Sequence, residues 1–199
     1  MLSRFFLGTV IFFAACTTNK KSPGEINTIN NSQIIIGDTV SNFFPVTSYL
    51  RGEIFSIKTG GITPIKKTTA GKVTDSMWVK ETDFETTFSA FLFPVIDTAN
   101  LKKTFTEKRF LDQTLNAFTF TYDPLNGQEN SFAFKHWDVY VDPETNKVRR
   151  IYLTKKLDAD TELLLTWQSG KWCKIITVKN IEGKTTIIKE EKISWSYEE

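Results

Sequence analysis

Leu163-Leu-Leu-Thr-Trp-Gln168, Ser169-Gly170 and Lys171-Trp-Cys-Lys-Ile-Ile-Thr-Val-Lys179 follow one another without interruption, and their reading decides the fold. Two runs rich in β-branched and aromatic residues flank a Ser-Gly pair, which is the pattern of a β-hairpin. Counting back from a two-residue turn sets Trp167 opposite Trp172 and Thr166 opposite Cys173. Opposed residues share a face, so Trp167 and Trp172 are expected to stand side by side as a possible ligand contact. Downstream, Glu182-Gly183 closes a further hairpin into Lys184 to Trp195. Upstream, Phe132 to Val141 and Val148 to Lys155 flank Asp142-Pro-Glu-Thr-Asn-Lys147, whose Pro and Asn suit a turn ending in a left-handed residue. Phe118, Phe120 and Tyr122 alternate with Thr119 and Thr121, the period of a sheet with one buried face.

Nearer the N-terminus the period changes. Phe43, Val46, Leu50, Ile54 and Ile57 recur at steps of three and four, which lines one side of a helix entered at Pro45 and left at Gly60-Gly61. A second helix is expected to open with the capping box Thr82-Asp-Phe-Glu85, bury Phe84, Phe88, Phe91 and Leu92, and stop at Pro94. Between them, Pro64 to Thr69 and Lys72 to Val79 flank Ala70-Gly71 as a tight hairpin. Asp97 to Asp112 carries neither period and takes no assignment. The expected fold is α+β: two N-terminal helices packed on one face of a curved antiparallel β-meander sheet of eight or nine strands.

The first residues read as an address. Arg4 gives a basic start, Phe5 to Ala15 is an apolar run too short to cross a bilayer, and Ala14-Ala15 precede Cys16. This resembles a lipobox, with Phe13 where Leu is usual. It implies a signal peptide at 1–15, lipid on Cys16 and a flexible polar tether through residue 36, followed by a single domain at 37–199. Membrane attachment through acyl chains is then long-lived while the domain folds in water. Thr17 after the cysteine resembles an outer-membrane signal, and Thr17 to Ser22, which carries no acid, does not resemble the acidic export tags of surface-exposed lipoproteins, so the resemblance implies the periplasmic face. With Cys16 acylated, Cys173 is the one remaining thiol of two, so no intramolecular disulfide forms.

Trp137-Asp-Val-Tyr-Val-Asp-Pro-Glu-Thr-Asn-Lys-Val-Arg-Arg-Ile-Tyr152 and Leu165-Thr-Trp-Gln-Ser-Gly-Lys-Trp-Cys-Lys174 resemble a family of uncharacterised lipoproteins of Bacteroidota, over roughly Phe44 to Val178. That resemblance implies no activity, cofactor or catalytic residue.

Composition narrows function further. The 199 residues carry 25 Lys and Arg against 23 Asp and Glu, and loss of Arg4 with the signal peptide leaves a net charge of +1. The basic residues are scattered or in short pairs, so no nucleic-acid stripe is expected. His136 is the single histidine and cannot build a multi-histidine zinc site; alternation puts it on the face of Asp138. Cys173 sits mid-strand, where a buried small hydrophobe is expected and a nucleophile is not. Gly-x-Ser-x-Gly, His-Glu-x-x-His, Cys-x-x-Cys and phosphate-loop motifs are missing. No enzyme, metal or cofactor is therefore expected. The functional expectation is a membrane-anchored envelope lipoprotein, a non-enzymatic binding or scaffolding module for an envelope protein or component. The alternative is a periplasmic carrier of lipid or another apolar ligand.

Overall fold

The computed structural model describes residues 43–96, 101–125 and 133–196. The expected signal peptide, Cys16 and the tether lie outside the described residues, as do positions 97–100 of the stretch that took no assignment. Nine strands, β1 (Ile65–Ala70), β2 (Val73–Trp78), β3 (Phe105–Asp112), β4 (Ala117–Pro124), β5 (Phe134–Val141), β6 (Val148–Lys156), β7 (Thr161–Gln168), β8 (Trp172–Ile181) and β9 (Lys184–Ser194), form one sheet. The order is β2-β1-β9-β8-β7-β6-β5-β4-β3, and every neighbouring pair is antiparallel. Strands β3 to β9 are a meander, and the β1–β2 hairpin adds to its last strand. β2 and β3 are the two edges, and the sheet is not closed.

Two short helices accompany it, α1 (Val46–Thr59) and α2 (Phe84–Leu92), the latter preceded by a 3₁₀ turn at Glu81–Asp83. Because β2 and β3 lie at opposite edges, the chain between Trp78 and Phe105 must cross the whole sheet. α2 lies on this crossing, and its Phe88 and Phe91 rings meet Trp167 of β7 at 5.6 and 5.3 Å. Lys155 of β6, itself buried, donates from Nζ to the carbonyl oxygens of Ala90, at 2.6 Å, and Phe93. These are carbonyls at the end of α2 that have no partner within the helix, so the ammonium caps it. Thr47 of α1 accepts the Ile96 N–H at 2.8 Å, tying the chain after α2 to α1.

Two of the four expected turns follow the sequence pattern. Glu182 and Gly183 both have positive φ, 53° and 78°, as a type I′ hairpin requires. Asn146 ends the β5–β6 turn at φ 54°, the expected left-handed residue. In the first hairpin Ala70 pairs with Val73, so the central residues are Gly71-Lys72, one position later than expected. The capping box does not form either. The chain first makes its 3₁₀ turn, so α2 starts at Phe84 with Asp83 as N-cap and no side-chain cap, while the Thr82 hydroxyl donates to Asp83 at 3.0 Å.

Strands β7 and β8 pair one residue away from the expected register. Gln168, not Trp167, stands opposite Trp172, and Trp167 opposes Cys173. The turn has three residues, Ser169-Gly170-Lys171, with Lys171 N–H on the Gln168 carbonyl at 3.1 Å and Gly170 at φ 72°. A left-handed glycine in a three-residue loop inserts one residue relative to the two-residue turn. A slip of one moves every side chain of a strand to the other face. Trp167 and Trp172 therefore lie on opposite faces.

Register then assigns the core. Phe120, Val139, Ile151, Trp167, Cys173 and Ile193 succeed one another across β4, β5, β6, β7, β8 and β9, and each is buried. Trp167 touches Trp195 at 4.8 Å, and Tyr122 stacks on Trp137 at 4.9 Å. α1 buries Val46, Leu50 and Ile57, and α2 buries Phe84, Phe88, Phe91 and Leu92, the expected apolar positions. Each such side chain contributes about 1.5 to 3 kcal/mol of burial. One contrary contribution is Trp137 Nε1, which is buried with no hydrogen-bond partner among the described residues and costs about 1 to 3 kcal/mol.

Candidate functional site

The face opposite Trp167 carries the groups with chemistry left to use. Its central row runs Trp78, Ile65, Ser194, Trp172, Gln168 and Arg150 across β2, β1, β9, β8, β7 and β6. Trp78 is 58% exposed and Trp172 is half-buried. In the next row Lys67, Lys192 and Lys174 are direct cross-strand neighbours on β1, β9 and β8. Lys192 Nζ lies 5.3 Å from the centre of the Trp172 ring, a cation–π contact. Lys174 pairs with Glu190 at 3.1 Å, and Arg150 donates from Nε to Gln168 Oε1 at 3.2 Å. Among the described residues no acid pairs with Lys67 or Lys192.

Farther along the same face, on β3 to β5, His136 lies between two carboxylates. Its Nδ1 is 2.7 Å from Asp123 Oδ1 and its Nε2 2.9 Å from Asp138 Oδ2. Asp138 also accepts from Thr121 Oγ1 at 2.6 Å and Tyr140 OH at 3.2 Å, and Asp123 pairs with Lys108 at 3.1 Å. The hydrogen bond to Asp138 is the main reason the imidazole pKa rises to about 9; partial burial opposes it and Asp123 reinforces it. Burial pushes both carboxyls up, but their bonds to His136 overcome it and leave them below the ordinary aspartate value. At neutral pH the ring is thus an imidazolium donating from both nitrogens. It has no lone pair with which to act as a general base. The expected shared face of His136 and Asp138 is present, whereas Asp123 comes from a neighbouring strand beyond the reach of a local pattern.

Cys173 is fully buried, and burial drives its thiol pKa well up. It belongs to the Trp167 row, with the sheet between it and His136, so the two cannot form a nucleophile and base pair. Lys155 has its pKa lowered to about 8 by burial, but both neighbouring carbonyls belong to the fold. Among the described residues no three His, Cys, Asp or Glu side chains gather as a metal site, and no helix is long and apolar enough to cross a membrane.

Of the expected contact pair, Trp167 is 0% exposed and is spent on the core, while Trp172 remains accessible in part. Cys16 lies outside the described residues. The lysine row escaped sequence reading, although correct strand register would have found it: the pair Lys66-Lys67 splits between faces, and only Lys67 joins the row. No family model matches the sequence, and no curated protein or solved structure is similar to it.

Proposed function

We propose that the chain is a lipid-anchored envelope lipoprotein acting as a non-enzymatic binding or scaffolding module, with α1 and α2 packed on the Trp167 face of a curved sheet. The Trp172 face is its working surface. A single contrast carries this reading: one face is consumed by ring-on-ring packing, while the other presents Trp78, Trp172 and two lysines that pair with no acid among the described residues. Aromatic residues are enriched at contact surfaces relative to the rest of a protein's exterior. The run into Ala14-Ala15-Cys16 supports export and tethering, at the periplasmic face of an outer membrane.

An enzyme is disfavoured because the one imidazole is held as a cation and the described thiol is buried. The carrier alternative asks for an apolar cavity. Rings of Phe88, Phe91, Trp167 and Trp195 instead meet one another with centroids 4.8 to 6.2 Å apart. A groove of about 310 Å³ beside the β1–β2 turn mixes Lys189 and Glu190 with Ile187 and Ile188. The test is site-specific photo-crosslinking in intact cells, with the probe at Lys67 on the Trp172 face or at Phe55, an exposed residue of α1. Adducts with an envelope component from Lys67 and not from Phe55 are expected. Adducts from Phe55 alone, or purification of the protein loaded with lipid, would overturn the assignment.

A further inference from the structure

We infer that the Trp172 face binds an acidic glycan lying across the strands, a step that rests on the binding-module reading and names its ligand class. The first observation is the register. Lys67 opposes Lys192, and Lys192 opposes Lys174, on three adjacent strands. Directly opposed side chains in an antiparallel pair have Cβ atoms about 5 Å apart, and like charges so placed repel. Two other charge clusters of the sheet are compensated at short range. On the Trp167 face Glu191 bridges Lys66 at 2.6 Å and Lys189 at 2.9 Å, and around His136 two carboxylates meet an imidazolium and Lys108. Among the described residues only Lys174 of the lysine row has an acid, Glu190. Repulsion left standing at one place is accounted for by an anion that arrives from outside.

The second observation is what borders the row. Trp172 and Trp78 belong to the adjacent row three strands apart, about 14 Å at ordinary strand spacing, with Ile65 and Ser194 between them. Two indoles at that separation on an open sheet suit an extended chain of rings better than a single headgroup. A pyranose presents a C–H face that packs on indole, carboxylates or other acid groups that meet the lysines, and hydroxyls within the chemistry of Gln168 and Arg150. Lys192 already rests over the Trp172 ring, so a sugar taking that ring face frees the ammonium for the sugar's acid. A phosphate polymer would use the lysines but not the indoles. Single-stranded nucleic acid could use both, and the export signal argues against meeting it.

The probe is oligogalacturonate, titrated against the full chain in detergent by calorimetry, with its methyl ester, polyphosphate, oligo(dT) and phosphatidylglycerol vesicles as comparators. The acidic sugar is expected to bind, to weaken as salt rises, and to be lost on esterification. Trp172→Ala should weaken it roughly tenfold. Lys192→Thr should also abolish tight binding while leaving the melting temperature equal or higher, because it relieves repulsion; a purely structural lysine would show the opposite. Lys147→Thr, an exposed lysine in the β5–β6 turn, controls for net charge and should bind as wild type. Equal or tighter binding of polyphosphate, oligo(dT) or vesicles overturns the inference, as does failure to bind the acidic sugar. If that happens while Lys67 still crosslinks an envelope component, only the ligand class falls; if crosslinking fails too, the binding-module reading falls with it.

Discussion

Replacing His136 by Gln should remove most of the alkaline loss of stability of this domain, and a single histidine makes the effect separable. The folded imidazole titrates at about 9 against an ordinary 6.5, chiefly through Asp138. A pKa raised on folding contributes stability that is complete below 6.5 and disappears as pH climbs through about 9. The interval corresponds to ~3.4 kcal/mol at 1.36 kcal/mol per pH unit. The side chain is 30% exposed, and solvent screening reduces that figure to about 2 kcal/mol. Between pH 6 and 9 the wild type should therefore lose about 2 kcal/mol, or roughly 4 to 8 °C in melting temperature for a domain of this size. Lys155 works in the opposite direction: its lowered pKa makes stability rise with pH from about 8 to 10.5. For that reason the quantity to compare is the difference between wild type and His136→Gln at each pH, from urea unfolding, with the imidazole pKa read directly by NMR. Asp123 and Asp138 act at the acid end, where their contribution is lost as pH falls below the ordinary carboxyl range. An NMR pKa near 6.5, or a pH-independent difference between the two proteins, would refute the arrangement of His136 between two carboxylates.

Other consequences are quicker to check. Trp167→Ala removes a fully buried ring that meets Phe88, Phe91 and Trp195, and chemical denaturation should show a loss of about 3 to 5 kcal/mol. A loss below about 1 kcal/mol would contradict its place in the core. Glu182→Asn should stabilise the protein by roughly 0.5 to 1 kcal/mol, since Glu182 holds φ 53° at the first position of a type I′ turn that Asn-Gly fits better; a lower melting temperature would count against that turn. Cys173 should ignore a thiol reagent in the folded protein and react fully once unfolded, because it is buried with a raised pKa.

Local periodicity explains what could be read from sequence and what could not. The alternation of Phe118, Phe120 and Tyr122 and the spacing of Phe84, Phe88 and Phe91 each answer to one buried face, and those faces are as expected. Register across the β7–β8 turn is not legible locally, because Ser169-Gly170 has the form of a complete two-residue turn. The glycine in fact supplies the left-handed position of a three-residue loop, so Lys171 belongs to the turn as well. β3 was not recognised because Glu107, Lys108 and Arg109 interrupt its apolar pattern, as charges do on an edge strand. The pairing of β1 with β9 joins residues over a hundred positions apart, so no local signal announces it. The lysine row depends on that pairing and on the β8–β9 register, which is why scattered lysines in sequence become neighbours in the sheet.

The central claim, an exported domain held to a membrane by Cys16, is tested most directly by intact mass and membrane fractionation of the wild type and Cys16→Ala. The account predicts diacylglyceryl and acyl mass on Cys16 of a membrane-bound wild type, with Cys16→Ala lacking it and released to the soluble fraction. Two soluble, unmodified proteins would contradict it.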